Sequence, residues 1–236
     1  MKKAVLYAAM TALMFAGCKS DDEEEAVVVT TTEEQKVLDD EAAMKYLDEH
    51  YFDAKGNVVE FSSTDEDDDD ETKLSAYEYT KLPSGVIYLL RPGAQPDPGT
   101  AIGATDVIKM MQKTVAFVAR RVDGNISLTS TLTFANPING AGVPTNDPYY
   151  YYVKESLMTS SGKGRSYYEI EGLQEGLKYV KAFSIPDSDN YNLQGIIIVP
   201  SRAAYAKDEN VNSFTDYSFV FNFQIYSTRA RLDSEK

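Results

Sequence analysis

The chain reads as an α+β protein: an antiparallel β-sheet wrapped around one short helix, preceded by an N-terminal amphipathic helix. Three observations predict this. From about residue 74 onward the apolar residues fall in short runs or alternate, most clearly over 217–226, where Phe219, Phe221, Phe223 and Ile225 share one face. One late segment, 171–180, instead carries Leu173, Leu177 and Val180 at helical spacing. Near the N-terminus, over 39–52, Met44, Leu47 and Tyr51 are spaced i, i+3, i+7 behind Asp39 or Asp40 as the N-cap. Several strands around one short helix form an α+β arrangement.

Composition narrows the chemistry before any motif is read. The 236 residues, 43% apolar and 11% aromatic, suffice for one domain with appendages and a true core. A formal charge of −14 argues against nucleic acid as a partner, because polyphosphate needs a basic surface. One cysteine and one histidine exclude a disulfide framework, Cys/His zinc sites, iron–sulfur ligation and paired-thiol redox chemistry. No metal or cofactor is expected. Two acidic runs hold 12 of the 37 acids, and without them the chain has 25 acids against 23 bases, so the net charge comes largely from tethers.

The elements follow in order. Lys2 and Lys3 form a basic start, and residues 4–15 are an apolar run too short for a permanent bilayer span. Ala16-Gly17-Cys18 follows and resembles a bacterial lipobox. The resemblance implies removal of residues 1–17 as a signal peptide and acylation of Cys18, which would anchor the protein in the outer membrane or at the cell surface. Lys19 and the acids directly after it resemble the surface-export signal of some Gram-negative lipoproteins. Residues 18–37 read as an acidic disordered tether. Residues 38–55 hold the N-terminal helix, which is expected to pair with a second copy or to cradle clients. Residues 56–73 read as a solvated acidic linker. Its seven consecutive acids, 65–71, lack the glycine and spaced ligands of an EF-hand.

The β-rich domain is expected over 74–228, with a tail at 229–236. Residues 86–90 form a short apolar strand closed by Arg91-Pro92-Gly93, and 115–122 a second, ending at the turn Asp123-Gly124. Ile126, Leu128, Leu132 and Phe134 sit at even spacing and read as a third strand with one apolar face. Residues 136–148 are a Gly, Pro and Asn-rich loop, and 149–153 offer a further strand. After the 171–180 helix, 196–199 is a buried strand stopped by Pro200, and 217–226 completes the sheet.

The C-terminal third carries a family resemblance. Ile170-Glu171-Gly172-Leu173-Gln174-Glu175-Gly176-Leu177-Lys178-Tyr179-Val180 is similar to the short-helix segment of FKBP-type peptidyl-prolyl isomerases. Gly195-Ile196-Ile197-Ile198-Val199-Pro200 with Ala204-Tyr205 resembles that family's Pro-to-Ala-Tyr-Gly stretch, and Tyr217-Ser218-Phe219-Val220-Phe221-Asn222-Phe223 its final strand. Upstream, Pro83-Ser84-Gly85-Val86-Ile87-Tyr88, Pro98-Gly99 and the Asp123-Gly124 turn resemble segments of its lipoprotein members. The resemblance covers residues 82–227.

It implies an FKBP-like fold and, position by position, a site. Ile170 would offer its backbone N–H to a substrate carbonyl, and Tyr205 its hydroxyl. Leu173 would form the pocket floor, with Phe117 and Phe221 as walls. Prolyl isomerisation needs no nucleophile, metal or base, because its barrier of about 18–20 kcal/mol is amide resonance, which an apolar pocket lowers by favouring the twisted amide. The chain departs from the family in three ways. After the Asp-Gly turn, Ile126-Ser127-Leu128-Thr129 contains no acid where the family has Phe-Asp. Leu173 replaces a tryptophan, and Ala206 follows the tyrosine in place of glycine. The resemblance therefore implies either a lipid-anchored isomerase, weak or degenerate, that assists folding of exported prolyl-containing polypeptides, or a non-catalytic FKBP-like module binding extended segments at the cell surface. A third reading is a glycan-binding lipoprotein that stacks sugars on Tyr149-Tyr150-Tyr151-Tyr152. No P-loop or nucleophile elbow is present: Gly164 follows Ser161-Gly162-Lys163, and the only histidine, His50, lies on the N-terminal helix.

Overall fold

The structure, a computed structural model, describes residues 30–236. Cys18, the lipobox-like segment and the first part of the expected tether lie outside the described residues. In chain order come α1 (Thr32–Glu49), β1 (His50–Phe52), β2 (Val58–Glu60), β3 (Thr80–Lys81), β4 (Ile87–Leu90), β5 (Thr100–Ala101), β6 (Val107–Val122), β7 (Asn125–Ala135) and β8 (Thr145–Asn146). Then follow α2 (Glu155–Ser161), α3 (Glu171–Leu177), β9 (Lys181–Ala182), β10 (Gly195–Val199) and β11 (Tyr217–Arg229). A seven-stranded antiparallel sheet runs β3-β4-β10-β11-β6-β7, with β8 also paired to β6; β1-β2 and β5-β9 form two small pairs. The architecture is α+β and antiparallel.

Every residue of β10 is buried, and β11 is buried from Ser218 to Tyr226. Alternate side chains of these strands go to opposite faces, so both faces are apolar and both need a cover. On one face Ile197, Val199, Phe219, Phe221 and Phe223 meet α3. Gly172 and Gly176, one turn apart on α3, allow that approach: a Cβ on Gly172 would lie 2.4 Å from Val199 Cγ1 and one on Gly176 2.8 Å from Ile197 Cγ2. On the other face Ile196, Ile198, Val220 and Phe117 meet Leu38, Ala42, Tyr46 and Leu47 of α1.

The helix α1 begins seven residues or more before the position expected from its apolar spacing. Thr31 is the N-cap, its hydroxyl accepting from Glu34 N–H while the Glu34 carboxylate accepts from Thr31 N–H. This capping box, Thr-x-x-Glu, is legible in the sequence, but the first two turns lack the apolar residues that periodicity needs. Asp39 is therefore no N-cap. It is buried two turns into the helix and accepts from Ser201 N–H at 2.9 Å, Ser201 Oγ at 2.6 Å and Gln35 Nε2 at 2.9 Å, latching α1 to the end of β10. Burial pushes its carboxyl above the usual carboxylate range. The buried face of α1 lies against the chain's own sheet. Residues 50–52 leave the helix as β1.

The 56–73 segment is ordered, against expectation. Val58–Glu60 forms β2 opposite β1, and a 3₁₀ turn spans Glu66–Asp68, with Asp65 accepting from Asp67 N–H. Asp68 is buried and accepts from Ser62 N–H at 2.7 Å. The acidic run thus caps its own backbone donors. The 229–236 tail is also fixed, since Arg231 is buried, pairs with Asp147 and lies 3.8 Å over the Tyr152 ring.

Strand β7 corrects the single-face reading of the third strand. After the Asp123-Gly124 turn, both residues of which have positive φ, Ile126 and Leu128 face α1 whereas Leu132 and Phe134 face α3. The register jumps from Val118↔Thr129 to Ala116↔Leu132, so three steps on β7 match two on β6. The extra residue in this bulge includes Ser130 at φ 51°, and it moves the strand's apolar set from one face to the other. Deleting Ser130 should remove the bulge yet leave Leu128 opposite Ala119 and Leu132 opposite Ala116, so both keep their faces and stability should change by less than about 1.5 kcal/mol. Ser130→Gly, which keeps the bulge, should stay within about 1 kcal/mol of wild type. Urea unfolding of both variants checks this; a loss of about 3 kcal/mol or more in the deletion would show that the bulge does more than set the spacing between the two apolar halves.

Candidate functional site

The site expected from the resemblance falls on the α3 side of the sheet. Phe221 is at the centre of β11, Leu173 is on α3, Ile170 is the residue before α3, and Tyr205 follows the turn after β10. All four lie in one core and are essentially buried. Phe117 does not join them. On β6 it is Ala116 that faces α3, and the next residue, Phe117, points to the opposite face, where its ring stacks 6.2 Å from Tyr46.

The aromatic wall comes instead from Phe134, which sequence reasoning did not single out. A second register jump, from Val115↔Thr133 to Thr114↔Ala135, leaves Phe134 as an extra residue aimed inward. Its ring lies 5.0 Å from Tyr150, 5.2 Å from Phe219, 5.9 Å from Phe214 and 6.3 Å from Phe221, edge to face with Tyr150, Phe219 and Phe221. Tyr205 meets Phe219 edge-on at 6.1 Å. Each such pair adds about 0.5–1.5 kcal/mol beyond burial. Even spacing in the sequence shows an apolar Phe134 but not the bulge that chooses its face.

The polar groups of this basin are engaged within the chain. Tyr205 donates its hydroxyl to the Tyr168 carbonyl at 2.7 Å, and the Ile170 N–H donates to the Tyr150 carbonyl at 2.8 Å. Thus the two donors expected to meet substrate are already bonded. Residues 149–153 form no strand; they turn across the basin. Tyr150, Tyr151 and Tyr152 are buried, so their faces serve the core and leave no platform for sugar rings. Glu169, itself buried, holds the segment by accepting from Val153 N–H at 2.8 Å, Arg165 at 2.7 Å and Gln174 Nε2 at 3.0 Å. Gln174 also donates to the Tyr151 carbonyl at 2.6 Å, and Gln112 donates to the Tyr150 hydroxyl. Burial raises the phenol pKa of both Tyr150 and Tyr205, so both stay protonated donors.

After the Asp123-Gly124 turn the strand carries Ile126, Ser127, Leu128 and Thr129, without an acid. Among the described residues no cluster of His, Cys, Asp or Glu is suited to hold a metal. A cleft of about 600 Å³ lies outside α3; of its lining, Ser84 donates to Glu175 and Arg202 pairs with Asp40, while Lys36, Glu171 and Lys178 form no ion pair among the described residues. What the basin can do chemically is pack an apolar segment. At present that segment is its own.

No family model matches the sequence, and no curated protein matches it. Among solved structures, FkpA from Escherichia coli is similar with a TM-score of 0.37 and 19% identity, over 64% of this chain and 52% of that one. A peptidyl-prolyl cis-trans isomerase from Pseudomonas syringae pv. tomato str. DC3000 is similar with a TM-score of 0.30 and 15% identity, over 64% of this chain and 80% of that one. The match spans about half the length of FkpA. At such values function has to be argued from the residues.

If the Tyr205 hydroxyl serves the fold, Tyr205→Phe leaves the buried Tyr168 carbonyl without its donor and should cost about 1–3 kcal/mol. Thermal or urea unfolding measures this; an unchanged midpoint would free the hydroxyl for another role.

Proposed function

We propose that the chain is a lipid-anchored, FKBP-like module that binds extended polypeptide outside the cytoplasm without turning over prolyl bonds. The observation that carries this reading is the closure of the basin: the Ile170 N–H and the Tyr205 hydroxyl are both bonded to carbonyls of the chain's own 150–168 region. A transition state for amide rotation is stabilised only by groups free to bind it more tightly than the ground state. Donors spent internally contribute nothing, and the neighbouring acid, Glu169, is itself engaged by Val153 N–H, Arg165 and Gln174. The resemblance over 82–227, the lipobox-like Ala16-Gly17-Cys18 and the lack of His or Cys chemistry support the rest of the reading.

The second reading, a weak isomerase assisting exported proteins, is favoured by the convergence of Ile170, Leu173, Tyr205 and Phe221 on one apolar core. A protease-coupled prolyl isomerisation assay on the full-length protein separates the two. The expected rate stays within about twofold of the uncatalysed one, with a barrier of about 18–20 kcal/mol. Acceleration that falls in both Tyr205→Phe and Phe221→Ala would establish the isomerase instead.

Anchoring is tested separately. Cys18→Ser should move the protein from the membrane fraction to the soluble fraction. Undiminished membrane retention would remove the lipid from the proposal.

A further inference from the structure

The opposite face of the sheet carries an open cleft. It lies between the C-terminal end of α1, the outer edge of β2 and the strands β6 and β7, and holds about 410 Å³, within the range of ligand sites. Its floor is Phe117, Val115 and Leu128.

Part of its polar lining is unspent, although Asn222 and Thr131 are bonded within the chain. Tyr46 is 6% exposed and its hydroxyl has no hydrogen-bond partner among the described residues; His50, 9% exposed, stacks on it at 3.8 Å. His50 Nδ1 lies 2.8 Å from the Tyr46 carbonyl, which places the proton on Nδ1 and leaves Nε2 a free acceptor. Burial lowers the His50 pKa, so the ring is neutral near pH 7. Glu60 and Lys113 line the same cleft and form no ion pair among the described residues.

The backbone of β2 is open on this side. Phe61 N–H bonds the Glu49 carbonyl and Asp53 N–H bonds the Asn57 carbonyl, so the β1–β2 ladder uses Val59 and turns Val58 and Glu60 outward. The Val58 N–H is taken by Asn222 Oδ1 at 3.0 Å. The Val58 carbonyl and both backbone groups of Glu60 have no partner among the described residues. An edge of this kind recruits another extended chain, with main-chain bonds giving affinity and a side-chain pocket giving selectivity.

We propose that this cleft binds an extended polypeptide, which adds a strand to the outer edge of β2 and lodges an apolar side chain on Phe117, Val115 and Leu128. The inference rests on the reading of the chain as a polypeptide binder and assigns that binder a surface on the far side of the sheet from the closed basin.

The test titrates acetyl-Thr-Val-Phe-Val-Thr-amide into ¹⁵N-labelled full-length protein. The expected result is saturable amide shifts at residues 58–60, 113–117 and 128–131, with the Glu60 amide gaining at least about tenfold protection from solvent exchange. Glu60→Pro removes the edge donor, and Leu128→Lys fills the floor. Each should weaken binding at least about tenfold while leaving the amide dispersion of the folded protein intact, so a folding failure in one variant leaves the other decisive. Saturable shifts confined to Phe134, Phe214 and their neighbours would overturn the cleft and leave the polypeptide-binding reading standing. Cleft shifts without Glu60 protection would overturn strand addition. No saturable shift at millimolar peptide would overturn the cleft and the binding reading together.

Discussion

A sheet whose middle strands are apolar on both faces cannot stand with one side wet, and this constraint organises the rest of the molecule. Burying a side chain such as Phe221 or Ile198 gains roughly 1.5–3 kcal/mol, and the same strands offer such residues to both sides. One cover, α3, is short and lies close because two of its seven residues are glycines against the sheet. The other, α1, is eighteen residues long and arrives from outside the β-rich region. Asp39 is the polar latch that fixes its position, since a buried carboxylate with three donors has few places to sit. The helix is therefore part of the domain's core.

Much of this was legible in the sequence, and what was not has a common cause. The alternation of Phe219, Phe221, Phe223 and Ile225, the apolar run at Ile196 and the Asp123-Gly124 turn all state a local rule that the fold obeys. Periodicity counts residues, however, and a bulge changes the count without changing the composition. Leu128 and Leu132 look alike in the sequence and lie on opposite faces because of one extra residue between them. Phe117 was misplaced for the related reason that nothing in 115–122 says which of two apolar phases faces α3. The acidic run and the four tyrosines mislead differently. Their composition suggests solvent or an exposed sheet, whereas Asp68 and Tyr150 are held inside by specific hydrogen bonds that only the tertiary structure supplies.

The candidate site brings four residues singled out by the resemblance into one core and bonds its donors internally. Ile170, Leu173, Tyr205 and Phe221 lie together in that apolar core. The Tyr150 carbonyl, on a segment held by Glu169 and Gln174, accepts from the Ile170 N–H, and the Tyr168 carbonyl accepts from the Tyr205 hydroxyl. On the proposed reading, differential binding is forfeited by that internal bonding as it would be by a substitution. Packing of the same residues gains from it, because an apolar basin with satisfied donors is a better core than an open one.

The two bulges of β7 have a consequence for how this molecule keeps its own company. The strand ends the sheet, and from Asn125 to Ala135 it contains no charged residue and no proline. Such a border ordinarily invites a neighbouring copy to zip on. Here the pleat changes phase near Ser130 and again at Phe134, so a straight visitor aligned with the first few residues is out of step with the next. Sheet-to-sheet growth stops after a few bonds. The irregularity that steers Phe134 into the core also does, without any charge, the work of a gatekeeper against self-association.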